Sequence, residues 1–370
     1  MSNKDDAREL KVKEAQKTTA PVLPYRPAIP KRSPQPIALI GCGGIARNHL
    51  EAYQTYKFPV HTLSDINLEA AQALRDEFFP EASVSDSPES VLEDSSIAVV
   101  DLALHPDHRL PFIRQALQAG KHVLSQKPFV TDIQAGHELA DLADEKKLKL
   151  AVNQNGRWAP YFSYLRSAVA AGLLGEIVSC DIQIAWDHSW IQGTRFEKIH
   201  HIVLYDFAIH WFDMVRCIFG DRQALLVHSQ VQNALGQLIQ PPLCAQSLIQ
   251  FEGGQASLVF RAHTKFSPAE SVVVTGTKGT YRSSGPVCAN NQILLTTEAG
   301  EAEVELDGAW FNDGFAGAMG ELLCAIEENR EPLNSARKNL PSLELCFAAV
   351  ASADSGQSVS PASANSIDVT

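Results

Sequence analysis

The sequence predicts an α/β protein built from a doubly wound parallel sheet followed by an α+β domain whose sheet is open and mostly antiparallel. Three observations carry this. From Pro36 short apolar runs alternate with helical stretches; the first run opens directly into a glycine-rich turn; and beyond about residue 176 the pattern changes to period-two alternation with glycine-marked bends.

Residues 1–36 read as an N-terminal arm, extended or disordered. A charged stretch comes first, then prolines at 21, 24, 27 and 30, a three-residue period that favours polyproline geometry. Val22, Leu23, Tyr25 and Ile29 offer apolar side chains for a strap over this subunit or a neighbour. The next segments are IALI, ARNHLEAYQTY, PVHTLSD, LEAAQALRDEFF, IAVVDLAL, HRLPFIRQALQAG, HVLSQ and LKLAVNQ. Parallel strands need crossovers, and right-handed crossovers place helices on both faces, so 37–155 forms a domain of the Rossmann kind. Residues 156–356 form the second domain. It opens with a helix from about Pro160 to Ala171, ended by Gly172, and continues through strands such as IVSCDIQIAW and ASLVFRAHT. FEGGQ and TGTKGTYR mark turns between strands, helices return in GFAGAMGELLCAIEEN and LPSLELCFAAVASADSG, and 357–370 is a Ser/Ala-rich tail.

The 370 residues suffice for a full hydrophobic core, and 45% apolar with 20% charged residues is globular composition. A net charge of −12 repels a phosphate backbone, so nucleic acid is not an expected partner. No run approaches a membrane span, and the N-terminus lacks the apolar region of a secretory signal. Seven scattered cysteines without C-x-x-C spacing signal neither a disulfide framework nor zinc, and the expected location is cytoplasmic.

Gly41-Cys42-Gly43-Gly44-Ile45-Ala46 follows a strand and opens a helix, the context a G-x-G-x-x-A dinucleotide fingerprint requires. Gly41 allows the tight turn, Gly43 lets backbone approach a pyrophosphate, and Ala46 lets helix and strand pack closely, with the helix N-terminus toward the phosphates. Asp65 ends the second strand near the spacing at which an acid takes the adenosine ribose hydroxyls. With no adjacent Arg or Lys it favours NAD over NADP; the competing reading is a cap for the next helix. Lys127 precedes a proline and sits extended at a strand's carboxyl end, where such sheets bind ligands; otherwise it is a solvated surface lysine. Asp206, His210 and Asp213 recur at i, i+4 and i+7 on a greasy helix, as a site or as a cap plus a satisfied core histidine. His200-His201 with Asp206 and His210 match no metal spacing, and no metal is expected.

These residues resemble the oxidoreductase family usually written Gfo/Idh/MocA, after glucose-fructose oxidoreductase, inositol dehydrogenase and a rhizopine-catabolism protein. The likeness runs from about Ile37 to Val359 and rests on GCGGIA, AGKHVLSQKP, NGRWAP followed by GLLGEI, and LYDFAIHWFD. The resemblance implies that Lys127, Asp206 and His210 form the catalytic set beside the nicotinamide ring. It also implies a sugar or polyol bound between the domains and a second-domain sheet that often forms a homodimer or homotetramer interface. Arg157, His200, His201 and Asp206 are the substrate-binding candidates. Gln126 stands in place of the family's Glu, which removes a carboxylate that would favour the charged form of Lys127. Ala208 replaces a glycine, and His200-His201 stands where many members have glycines, an arrangement that would bring imidazole into the substrate pocket.

The expected activity is NAD-dependent hydride transfer between nicotinamide and a sugar, polyol or related hydroxyl substrate. The alternatives on the same fold are an isomerase, epimerase or glycosidase with transient oxidation, and a catalytically silent NAD-binding regulator.

Overall fold

The structure, a computed structural model, describes residues 16–32 and 34–368. The charged stretch expected at the very N-terminus falls largely outside them.

Six short strands form the first sheet: β1 (Ile37–Ile40), β2 (Val60–Ser64), β3 (Ser83–Ser85), β4 (Val99–Leu102), β5 (His122–Ser125) and β6 (Leu150–Val152). They pair in parallel in the order β3-β2-β1-β4-β5-β6. β1 and β4 are buried on both faces, as the apolar run of β1 and the nearly apolar run of β4, interrupted by Asp101, require once helices cover each side. The helices are α1 (Ala46–Tyr56), α2 (Leu68–Phe78), α3 (Pro88–Glu93), α4 (Pro106–Gln118) and α5 (Ile133–Glu145). Strand order reverses between β1 and β4, which opens a crevice at their carboxyl ends.

The second sheet has eight strands. These are β7 (Ile177–Ala185), β8 (Ala224–Gln232), β9 (Cys244–Phe251), β10 (Gly254–Arg261), β11 (Ala269–Gly276), β12 (Gly279–Gly285), β13 (Gln292–Thr297) and β14 (Gly300–Glu303). Their order is β14-β13-β12-β11-β7-β10-β9-β8, antiparallel throughout except between β7 and β10. β9 alternates buried and open positions residue by residue, so one face packs inward and the other is left outside. The inward face meets α6 (Pro160–Ala170), α7 (Ile209–Phe219) and α9 (Ala336–Ser355), in a core holding Phe162, Trp211, Phe212, Phe260 and Phe347. Each such side chain contributes about 1.5–3 kcal/mol on burial.

Sequence order and spatial grouping part company at the C-terminus. Helix α8 (Phe315–Glu327) sends Phe315, Met319, Leu322 and Leu323 into the first domain, against Leu39, Leu50 and Tyr53. The tail is also tied down: Val359 bridges Val227, and the Ile367 N–H donates to the carbonyl of Thr131. The described part of the arm lies extended along its own chain. Thr18 N–H donates to Glu301 O at 2.9 Å, and Pro21 O and Pro24 O accept from Tyr164 Oη and Ser167 Oγ at 2.9 and 2.6 Å.

Candidate active site

A cleft of about 680 Å³ opens where the carboxyl end of the first sheet meets α7 and the segment before α8, bounded by Gly43, Gly44 and Ile45 on one side and Trp186, Phe207 and Trp310 on the other. Gly41 has φ +99°, and a Cβ there would stand 2.8 Å from Ala103 O, so glycine is required where β1 turns over β4. Gly43 and Gly44 have open space above them. No side chain caps α1; Ala46 N and Asn48 N donate to the carbonyls of Gly43 and Ile45, and Gly44 and Ile45 at the helix N-terminus line the cleft, where an anion is favoured. The glycine loop therefore fits a dinucleotide pyrophosphate.

Asp65 holds that loop in place. Its Oδ2 accepts from Cys42 N at 2.7 Å and its Oδ1 from Asn67 N at 2.8 Å. The cap of α2 is Asn67, whose side chain accepts from Ala70 N, so the capping reading of Asp65 does not hold.

Lys127 and His210, from different domains, line the same cleft. Lys127 Nζ donates to Asp206 O at 2.7 Å and to Asp206 Oδ1 at 3.2 Å, which fixes an ammonium group from the end of β5 against the start of α7. Asp206 lies in a π-helical turn, Val203–Phe207, placed before the regular helix. Burial, with the Lys127 charge second, holds the His210 imidazole well below its ordinary pKa, so it is neutral near pH 7. The Trp310 ring stands perpendicular to it with ring centroids 5.4 Å apart, and Trp310 is itself held by Nε1 donating to Asn155 Oδ1 at 2.9 Å.

Three expectations need correction. Arg157 does not reach the cleft: its Nε and Nη2 each donate at 2.6 Å to the Asp213 carboxylate, and both side chains are almost fully buried. A buried guanidinium needs a partner, and Asp213 supplies it across 56 residues of sequence. Asp213 is thereby taken out of the predicted stripe: its carboxylate pairs with Arg157, while Asp206 sits in the π turn ahead of the regular helix. His200 and His201 also turn away. Their Nε2 atoms lie 2.8 and 2.9 Å from Asp354 Oδ1 on α9, beside a separate depression. The ligand atoms of these three residues lie within 4.8 Å of one another, so the group near which a cation fits involves Asp354 and neither Asp206 nor His210.

Gln126 has a structural explanation. Its Oε1 accepts from Lys127 N at 2.8 Å, and its Nε2 faces His49 Nε2 at 3.2 Å, as does Asn153 Nδ2. Two amide donors make that ring nitrogen an acceptor, so His49 Nδ1 carries the proton and donates to Asp101 Oδ2 at 2.7 Å. A carboxylate at 126 would set acceptor against acceptor. The sequence signal for this buried chain was Asp101 itself, an acid inside the apolar run of β4. Sequence reasoning also passed over Trp186, His188 and Trp190, which wall the cleft. The cue was a histidine between two tryptophans directly after β7.

Residues 36–154 match the model of an oxidoreductase family with an NAD-binding Rossmann fold, GFO_IDH_MocA, and residues 162–282 match a GFO/IDH/MocA C-terminal domain. The chain is 26% identical to D-apiose dehydrogenase of Paraburkholderia graminis, over 87% of its own length and 88% of the relative's. It is 30% identical to an uncharacterized oxidoreductase of Schizosaccharomyces pombe, over 53% of this chain and 50% of that one. Levoglucosan dehydrogenase, solved with NADH and levoglucosan, superposes with a TM-score of 0.76 at 19% identity, covering 88% of this chain and 98% of the other, a likeness of fold.

Proposed function

The chain belongs to the Gfo/Idh/MocA oxidoreductase family, and from that premise we propose that it is an NAD-dependent dehydrogenase acting on a CH–OH carbon of a sugar, polyol or related hydroxyl compound. The observation that carries this reading is the meeting of Lys127 from the first domain with Asp206 and His210 from the second, beside the glycine loop.

Gly41, Gly43, Gly44, Ile45 and Ala46 would hold the pyrophosphate and Asp65 the adenosine ribose, with Lys127 toward the nicotinamide end. Bound NAD supplies the hydride acceptor. An alcohol gives up hydride only as its hydroxyl proton leaves, and a free alkoxide is too costly near neutral pH. His210, neutral through burial, takes that proton, a contribution of about 10² to 10⁴ in rate. Lys127 donates a hydrogen bond to the developing oxyanion, and Asp206 orients both Lys127 and the substrate. A 2′-phosphate on the cofactor would meet the Asp65 carboxylate, which supports NAD over NADP. Val178, Leu226 and Leu248 stand exposed on the outer face of the second sheet and support a homodimer or larger homo-oligomer. No helix among the described residues is long and apolar enough to cross a membrane, and seven unpaired cysteines support a cytoplasmic location.

The test is incubation of the purified protein with NAD+ or NADP+ and a panel containing levoglucosan, D-apiose, myo-inositol and common aldoses. Steady NADH accumulation, faster with NAD+ than NADP+, is expected. Altered sugar without NADH would replace the dehydrogenase by an isomerase, and cofactor binding without either would overturn an enzyme altogether.

A further inference from the structure

His188 is 3% exposed, lines the cleft with Lys127, Asp206 and His210, and takes no part in the chemistry described above. Its Nδ1 receives two donors, Trp186 Nε1 at 2.9 Å and Trp190 Nε1 at 3.2 Å. An indole N–H only donates, so Nδ1 is unprotonated and the ring proton of neutral His188 resides on Nε2. That Nε2 is buried and has no partner among the described residues. A buried donor left unmade costs about 1–3 kcal/mol, and the residue that keeps it lines the reaction cleft.

We propose that His188 Nε2–H is a substrate-recognition donor, its tautomer fixed by Trp186 and Trp190, that receives an oxygen of a cyclic polyhydroxylated substrate. The inference rests on the dehydrogenase reading and names the substrate class for that same cleft. The rest of the wall fits such a ring. Trp186 stacks on Phe207 at 3.9 Å, Trp190 is 58% exposed, and Phe196, Val287 and Cys288 add apolar surface for the C–H face of a sugar or cyclitol. Polar contacts are few and convergent: Lys127, Asp206 and His210 at the reacting carbon, His188 at a neighbouring oxygen. Burial holds the ring neutral, its pKa pushed down to about 4 against the pull of Asp206, so the donor persists across the working pH range. His188 is on this account a specificity-determining residue that acts in binding, and the proton of the reaction passes through His210.

The experiment has two readouts on the full-length holoenzyme. Nitrogen-15 spectra of histidine-labelled protein with NADH should show His188 as the Nε2–H tautomer, and its Nε2 resonance should move on addition of myo-inositol or levoglucosan. An Nδ1–H tautomer, or no movement with either probe, overturns the proposal. In steady-state kinetics with the same two probes, His188→Phe should raise KM about tenfold or more with kcat little changed. His188→Gln, whose Oε1 can accept from the tryptophans while its Nε2 donates, should recover much of that loss. A His188→Phe enzyme with wild-type KM also overturns the proposal. Movement of the Nε2 resonance without any NAD+ reduction would sink the dehydrogenase reading and leave the subsite standing; turnover with no movement would do the reverse.

Discussion

At His210 a single ring meets two demands, neutrality at working pH and access to the cleft, and both come from its surroundings. Its Nδ1 is buried without a partner among the described residues, close to Gly156, while the Lys127 charge opposes protonation. His210→Ala should lower kcat by about 10² to 10⁴ with the NADH dissociation constant nearly unchanged, because the loss falls on the transition state. Unaltered turnover would remove His210 from the mechanism. Asp65 combines two roles that substitution separates. As acceptor for Cys42 N and Asn67 N it shapes the glycine loop, and on the proposed reading its carboxylate is what disfavours a 2′-phosphate. Asp65→Ala should therefore weaken both cofactors while shifting the NAD to NADP affinity ratio toward NADP by about tenfold, or 1.4 kcal/mol. A uniform loss with the ratio unmoved would restrict Asp65 to shaping the loop.

At the scale of elements, Glu270 fastens the scaffold behind the site. From β11 it accepts from Trp211 Nε1 on α7 at 3.0 Å, Tyr161 Oη on α6 at 3.0 Å and Cys288 N at 2.9 Å. Burial outweighs these three donors and raises its pKa from 4.5 to about 7. An acid with a folded pKa above its unfolded one binds its proton more tightly in the native state, so its contribution is full below pH 4.5 and is lost as pH rises through about 7. Unfolding free energy should fall by on the order of 1 kcal/mol per pH unit across that window from this group. Glu270→Gln should flatten that slope and also destabilise by about 1–3 kcal/mol, since its amide must set an N–H against a donor. Denaturant titrations between pH 5 and 8 decide it; an unchanged slope would show the carboxylate ionised throughout. Elements of this kind divide what a sequence reveals from what it hides. Period and turn chemistry are local, so the strand and helix rhythm and the glycine loop could be read from spacing, whereas the grouping of Lys127, Asp206 and His210 was what the family resemblance implied. The Arg157–Asp213 pair, the Asp101–His49–Gln126 chain and the clasp of His200 and His201 on Asp354 join residues far apart along the chain. Only the packed structure brings those partners together. His188 was hidden differently, because its role depends on which ring atom two neighbouring indoles reach.

For the molecule as a whole, the unresolved alternative at the N-terminus becomes a question about the cleft. The arm lies on its own chain and crosses to the segment that supports Trp310 and Phe311. Arg26 Nη1 donates to Asp307 O at 2.8 Å and pairs with Asp313 Oδ2 at 3.4 Å, and Asp307 N donates to Tyr25 Oη at 3.1 Å. Asp313 is the centre of this knot: it also accepts from Ala309 N at 3.0 Å and from Tyr56 Oη on α1. The arm thus ties the glycine-loop helix, the Trp310 wall and the second sheet to one another, with Leu23 and Tyr25 packed on the core. Each hydrogen bond contributes about 0.5–1.5 kcal/mol, and several are solvent-exposed, so the sum is a few kcal/mol rather than the whole of stability. Removal of residues 1–33 should leave a folded protein with a lower melting temperature and NADH affinity reduced several-fold, through a loosened Trp310 and Phe311. Arg26→Ala in the intact chain should reproduce part of the affinity loss with less effect on melting. Should the truncated protein bind NADH and melt as the intact chain does, the arm would be a passenger on the surface and the Trp310 wall would stand on Tyr56 and Asn155 alone.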